Sequence, residues 1–450
     1  MTYELTKASA QGLAEEAVRR GASAAEVVMR RRTEFGVSVR LGDVEKIKEA
    51  TDQGLGLRVL IDGRQASVSC SDFSEGAVLR LLDEAIALAR AASPDESAGL
   101  PEAAEMAGEL PDLSLYDGEV ERMPTEQKIG LALAAERAAS EYSDRIINFD
   151  GGGLDTASAR VIFANSLGFA GEYRTTLISL AAVPVAADDQ GRMQRDFWFD
   201  QRRWLKDMSA PEEIGRVAAQ RTLRKLNARS VPTQSVPVVF DPMMAASLLG
   251  NLFSALSGEA VFRRASFLVG QLGERVASPR LTVVDDGLIR GGLGSRPFDG
   301  EGLPVRRTVL IGEGRLESYL LNSYTARKLG LRSTGNASRG LVGAPTVSPG
   351  NLMIAAGAQT PAEIIGSVKQ GLYVTEMIGQ GVNVVTGDYS RSAGGLWIEN
   401  GELTFPVQGV TVAGNLKEML RDIEMVGDDL DFRGNVIAPT LLIGRMTISA

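Results

Sequence analysis

From Ala10 the apolar residues Ala10, Leu13, Ala14, Ala17 and Val18 recur at helical spacing, and Gly21 follows as a left-handed stop. Residues 27–29, 35–39 and 55–61 are β-branched or alternating runs. The last of these meets Asp62-Gly63, a hairpin signal, and then the run 66–70. A small antiparallel sheet is expected. Val78, Leu81, Leu82, Ala85 and Ile86 repeat the helical stripe until Ser93-Pro94 breaks it.

Residues 93–114 are rich in Pro, Ala, Glu and Gly with little periodicity, which predicts a loop that links or wraps. The pattern then restarts: a helix over 125–142, strands over 145–149, 158–163 and 175–185, and a helix over 211–226. The order of elements suggests one α+β unit used twice, with subunits at about 1–92 and 115–229 joined by the 93–114 linker. A boundary is expected at 230–235, which contains Pro232, followed by a strand over 236–240. Asp241 as N-cap and Pro242 in the first turn open a mostly apolar helix over about 242–257, expected to be buried. Beyond Leu281 the chain is Gly-rich, with short β-prone runs at 308–311, 352–355, 382–385, 396–398 and 441–443. The fold class is therefore α+β: an N-terminal α+β domain over 1–229 with a possible internal duplication, and a mainly β domain over 230–450 around one buried helix.

Composition narrows the function. Hydrophobic residues at 44% and charged residues at 23% match globular domains. A net charge of -9 gives no rationale for direct nucleic-acid binding. No apolar run reaches the roughly 20 residues that span a bilayer, and the N-terminal stretch with Glu4 has no signal-peptide core, so a cytoplasmic, membrane-free protein is expected. The single cysteine, Cys70, fits a reducing compartment and reads as a packed or half-packed thiol.

The chain has no histidine. A hydrolytic zinc site draws on His, Cys and carboxylates, and this sequence offers too few of the first two. Asp285-Asp286 and Asp428-Asp429 are the candidate carboxylate pairs for a hard cation, although adjacent Asp residues more often sit in solvated turns. Ser323 and Lys328 are close in sequence but not at the one-turn spacing of a Ser-Lys dyad. Gly54-Leu-Gly56 and Gly151-Gly152-Gly153 lack the remainder of a phosphate-binding fingerprint and read as turns.

Six segments in fixed order carry a resemblance. They are Phe298-Asp-Gly-Glu-Gly302; Ser323-Tyr-Thr-Ala-Arg-Lys-Leu-Gly-Leu331 with Ser333-Thr-Gly335; Val374-Thr-Glu-Met-Ile-Gly-Gln-Gly381; Thr386-Gly-Asp-Tyr-Ser-Arg391; Trp397-Ile-Glu-Asn-Gly401; and Ala413-Gly-Asn-Leu-Lys417. With weaker matches around Gly54, Asn165-Ser166, Arg195-Asp196 and Arg221-Thr-Leu223, the sequence resembles the TldD/PmbA peptidases, once called modulators of DNA gyrase, and their PmbA (TldE) branch in particular.

In the TldD branch a His-Glu-x-x-x-His helix and a late Cys hold zinc, with the Glu as general base. The resemblance places Gly250, Asn251 and Ala255 at the first His, the Glu and the second His, and finds no Cys around 435–440. It implies a chain without catalytic residues, metal or cofactor that pairs with a TldD-like zinc metallopeptidase in a chamber cleaving unstructured peptides. Such peptides bind by adding strands to sheet edges. Candidate chamber residues are Ser323, Tyr324, Arg327 and Lys328, and Gly379, Gln380, Gly381, Asp388, Tyr389 and Arg391. A chain kept alone could form a homodimer through its β-rich half. The rival readings are a standalone atypical hydrolase and a regulatory binding protein linked to gyrase or to toxin-antitoxin control.

Overall fold

The computed structural model describes residues 3–449. The N-terminal half runs α1 (Lys7–Arg19), β1 (Ala24–Arg40), β2 (Asp43–Ile61), β3 (Arg64–Cys70) and α2 (Glu75–Ala91). After a connecting stretch come α3 (Gly118–Arg122), α4 (Thr125–Ser140), β4 (Ile146–Asn165), β5 (Ala170–Ala187), β6 (Met193–Arg195), β7 (Trp198–Arg202) and α5 (Pro211–Leu223). All seven strands join one sheet in the order β3-β2-β1-β4-β5-β6, with β7 also on β5.

Side-chain alternation decides what each face of this sheet meets. Odd positions of β1 point to the helices. Val27 and Met29 pack with Leu13 of α1 and Leu82 of α2, while Phe35 and Val37 pack with Ala135 of α4 and Ile214 of α5. Leu13 and Leu82 are fully buried, worth about 1.5–3 kcal/mol each. All four long helices thus cover one face, and the even positions of β1 are left to the other.

The C-terminal half contains β8 (Gln234–Phe240), α6 (Pro242–Leu256), α7 (Gly258–Phe262), β9 (Val283–Asp286), β10 (Arg307–Gly312), β11 (Arg315–Leu316), α8 (Ser323–Leu329), β12 (Ala337–Ser338), β13 (Thr346–Val347) and β14 (Leu352–Ile354). There follow α9 (Pro361–Gly366), β15 (Gln370–Ile378), β16 (Asp388–Glu399), β17 (Glu402–Asn415), α10 (Leu416–Arg421), β18 (Ile423–Val426), β19 (Val436–Ile437) and β20 (Leu441–Ser449). Strands β17-β16-β15-β8-β20 close into a five-stranded barrel because β17 also pairs with β20, and β18 hangs on β20. A second sheet, β11-β10-β9-β14-β19, shares one hydrophobic core with the barrel and α6. As expected, Asp241 caps α6, its carboxylate accepting from Met244 N at 2.8 Å. No helix among the described residues is long and apolar enough to cross a membrane.

Several expectations are corrected. The separate runs 27–29 and 35–39 are one 17-residue strand, and the runs 145–149 and 158–163 belong to one 20-residue strand. The polar stretches between them stay extended because neighbouring strands satisfy their backbone, not because they bury apolar side chains. The small sheet expected in each half is half of one shared sheet, joined where β1 pairs with β4. Residues 382–385 are not a strand: Val382 makes an isolated bridge to Tyr389 and the rest is a turn. Gly54 and Gly56 lie inside β2 rather than in turns, and a Cβ on Gly56 would stand 2.0 Å from the Leu341 carbonyl oxygen. Gly151, Gly152 and Gly153 have φ of +77°, +113° and +154° where the β4–β5 register slips, so they form a bulge within the sheet. Asp285 is buried in β9, not in a solvated turn. Helix α6 is buried on one side only.

Candidate functional site

Helix α6 shows two faces. Leu248, Leu249, Leu252 and Ala255 point into the core, whereas Ser247, Gly250, Asn251 and Ser254 form a partly open stripe. Asn251 Nδ2 donates to the Ser247 carbonyl at 3.1 Å, one turn back. A Cβ on Gly250 would meet nothing within 4 Å, so space stands beside it. Ala255 is fully inaccessible, walled in by the core. Two hydroxyls, one amide and a glycine do not fit zinc, which takes imidazole, thiolate or carboxylate.

The segment 379–391 approaches this stripe. Arg391, on β16, donates from Nη1 to Ser247 Oγ at 2.8 Å and so ties the segment to α6. Gly381 accepts from Ser390 N at 2.7 Å so closely that a Cβ there would clash with the Ser390 carbonyl. Gly379, at φ +91°, and Gln380 are exposed at the tip. Asp388 accepts from Thr386 Oγ1 at 2.6 Å and from Asn415 Nδ2 at 3.2 Å, bracing the return of the chain. Tyr389 is buried, donates to Met377 Sδ, and has its hydroxyl pushed up to about 12 by that burial. Of the resemblance-based candidates Arg391 therefore touches the open stripe of α6, while Gly379, Gln380, Gly381 and Asp388 lie on the same exposed segment and Tyr389 is buried beneath it.

The other candidates stand elsewhere. Tyr324 Oη and Lys328 Nζ, both on α8, reach Asp95 at 2.8 and 2.9 Å. Arg327 donates to the carbonyls of Ser97 and Leu100. The hydrogen bond from Lys328, aided by those from Ser97 N and Tyr324, holds the Asp95 carboxyl at about 2. Helix α8 thus fastens the connecting stretch 93–114. Ser323 N donates to Glu301 Oε2 at 2.9 Å, and among the described residues no hydrogen bond joins Ser323 to Lys328, which removes the geometric basis of a dyad. Among the described residues no hydrogen bond joins α8 to the 379–391 segment either.

Glu301, the acid of the Phe298–Gly302 segment, is buried beside Asp299. Burial first and the Asp299 charge second raise its carboxyl to about 7. Asp299 spends its oxygens on the amides of Glu301, Leu303 and Ala337, and is also raised by burial. Asp285 accepts from Asn336 Nδ2 at 2.7 Å, which commits it to the interior. Asp429 is bound to Thr440 through its amide and hydroxyl. Asp285 and Asp429 are structural in these contacts.

Sequence reasoning missed a groove on the uncovered face of the N-terminal sheet. It encloses about 530 Å³ over β1, β4 and β5. Its floor contains Gly36, Gly152, Gly153, Ala157 and Ala181, and Arg32, Lys46 and Lys48 stand at its sides with Glu34 and Asp155. The available signal was Gly153, Ala157 and Ala159 at alternate positions of β4, small residues interrupted on that face by Asp155.

Comparison with known proteins agrees with these elements. Family models described as PmbA/TldA metallopeptidase domain 1, central domain and C-terminal domain match residues 25–89, 118–226 and 233–450. The metalloprotease PmbA of Escherichia coli O157:H7 is 37% identical over 94% of this chain and 92% of its own. The TldD homologue of Haemophilus influenzae is 29% identical over 69% of this chain and 66% of its own. A crystal structure described as a DNA gyrase modulator from Bacteroides thetaiotaomicron superposes with a TM-score of 0.91 at 28% identity, covering 99% of this chain and 100% of the other. TldE from Thermococcus kodakarensis shares the fold, with a TM-score of 0.88 at 24% identity over 98% of this chain and 99% of its own. The chain belongs to the PmbA/TldD metallopeptidase family, in its PmbA branch.

Proposed function

We propose that this chain is a metal-free, PmbA/TldE-like subunit that pairs with a TldD-like zinc metallopeptidase and shapes the chamber in which unstructured peptides are cut. What supports this reading is α6: its open stripe of Ser247, Gly250, Asn251 and Ser254 offers no imidazole, thiolate or carboxylate, and the resemblance sets Gly250, Asn251 and Ala255 at the ligand and base positions of the catalytic branch. Zinc and the general base then belong to the partner. The open stripe of α6 with Gly379, Gln380, Gly381, Asp388 and Arg391 would face the shared space, Tyr389 would stiffen it, and Ser323, Tyr324, Arg327 and Lys328 would act at a distance by holding the connecting stretch. The groove on the N-terminal sheet adds support, since a floor of glycine and alanine lets an extended backbone approach closely. The setting is cytoplasmic, with no nucleic-acid or membrane role, and the isolated chain can form a homodimer.

Co-expression with the TldD-like protein of the same genome tests the reading. Expected are co-purification, zinc confined to the partner, and cleavage of casein only by the pair. Stoichiometric zinc in this chain alone, or no association, overturns it.

A further inference from the structure

A second cavity, of about 380 Å³, lies where the face of the N-terminal sheet opposite its helices meets the C-terminal half. That volume falls within the roughly 300–1,000 Å³ of small-ligand sites. Its lining includes four arginines and no Asp or Glu: Arg30 and Arg32 from β1, Arg203 just beyond β7, and Arg296 from the C-terminal half. Arg32 is paired with Glu34. Among the described residues Arg30, Arg203 and Arg296 form no ion pair.

Two of these guanidinium groups are held in place by backbone rather than by acids. Arg203 donates from Nη1 to the Thr176 carbonyl at 3.0 Å and from Nη2 to the Leu293 carbonyl at 2.5 Å, while its buried Nε has no partner. Arg296 makes a long 3.5 Å contact from Nη2 to the Ser348 carbonyl, and its buried Nε is also unpartnered. Asp285 and Asp299 lie near enough to feel Arg296 from the interior side. Tyr173 is close enough to feel Arg296, Arg203 and Arg30 together, so the three converge on one place.

Like charges gathered in a partly dry cavity repel one another and leave donors unmade. An anion removes both costs, and the planar fork of arginine fits a carboxylate with two parallel hydrogen bonds. The cavity also continues into the groove described above, since Arg32, Ala157 and Leu177 line both. An extended chain lying on the glycine and alanine floor therefore runs towards the arginines.

We propose that the Arg30–Arg203–Arg296 cavity is an anion site that receives a carboxylate of an extended peptide lying in the adjoining groove. The peptide identity of the ligand rests on the proposed function; the anion site rests on the cavity alone. A carboxylate has two sources here, the C-terminus and an Asp or Glu side chain.

The test is fluorescence anisotropy on the full purified chain with a labelled decapeptide of neutral side chains, as free acid, as C-terminal amide, and as amide with one internal Asp. Expected is binding of the free acid roughly ten-fold or more tighter than the plain amide, weakening with salt and lost in Arg30→Gln. Arg30 is exposed, so that variant should keep the circular dichroism of the parent. Restored binding by the Asp-containing amide assigns the site to side-chain carboxylates, and both results support it. Equal binding of all three peptides, a preference that survives Arg30→Gln combined with Arg296→Gln, or inorganic phosphate binding tighter than every peptide overturns it. Association with the TldD-like partner is measured separately: its loss with the acid preference intact removes the partner reading and leaves the site.

Discussion

Arg58 Nη1 stands 2.6 Å from Glu26 Oε2 in the sheet interior, and Arg339 closes on the same oxygen from the C-terminal half. Glu26 is fully buried and each arginine is 5% exposed, so this triad is a dry seam between the two halves. Burial pushes the Glu26 carboxyl up, but Arg339 and then Arg58 outweigh it and hold it below its ordinary value. Removing the carboxylate leaves two buried cations facing each other. Glu26→Ala is therefore expected to cost about 3–5 kcal/mol in urea denaturation. A loss below about 1 kcal/mol would mean water reaches the seam.

The neighbouring glycines separate backbone from side-chain crowding. A Cβ on Gly54 would stand 2.3 Å from Leu341 Cδ1, whereas one on Gly56 would meet the Leu341 carbonyl oxygen. Both Gly54→Ala and Gly56→Ala should destabilise, by about 1–3 kcal/mol. Adding Leu341→Ala should largely rescue the first in thermal melts and not the second, because truncating a side chain leaves its carbonyl in place.

Glu301 gives the fold a pH dependence of defined sign. Its native carboxyl titrates at about 7, against an ordinary value of 4.5. Between those values the native state holds a proton that the unfolded chain has released, so its contribution is fully present below 4.5 and is lost as pH rises to about 7. The upper limit is roughly 3 kcal/mol. Glu301→Gln keeps an acceptor for Ser323 N and should be more stable than the parent above pH ~7 and alike near pH ~4.5. Tm measured across that range checks it, and a gap independent of pH would refute the assignment.

On α6 the two positions that the resemblance sets at the zinc ligands should respond oppositely. Gly250→Ala meets open space in a helix interior and should stabilise by about 0.5–1 kcal/mol. Ala255→His forces a large polar ring into a closed core and should destabilise by about 1–3 kcal/mol. Chemical denaturation of both variants reads the contrast, and a neutral Ala255→His would show that the core there yields easily.

Lys328→Ala tests what α8 does. Because Lys328 Nζ is bound to Asp95 and not to Ser323, the variant should loosen the connecting stretch without removing any hydrolysis. Faster limited proteolysis within 93–114 is the expected readout. Abolished peptidase activity in the isolated chain would instead favour the standalone hydrolase.

Helices α1 and α2 were legible in the sequence because each has a periodic apolar face: Leu13 and Leu82 announce their burial by spacing alone, whereas the short helices α3, α7, α9 and α10 have no such stripe and went unread. So were the hairpin at Asp62-Gly63, the cap at Asp241 and the absence of histidine, each a property of a few adjacent residues. The resemblance located Gly250, Asn251 and Ala255 on one helix, yet could not show that Ala255 is closed off while Gly250 is open. Residues 31–34 and 43–54 gave no strand signal, since they bury little and are held extended by main-chain pairing with distant strands.

What the sequence determined by itself was local: helix faces, turns, caps and the missing ligand chemistry, all set by side chains within a few positions of one another. What only the tertiary structure decided was convergence. Arg30, Arg203 and Arg296, or Glu26, Arg58 and Arg339, are scattered along the chain and meet only because strand pairing fixes register and the C-terminal half docks on one sheet face. The energy of a buried charge depends on those neighbours, not on its place in the sequence.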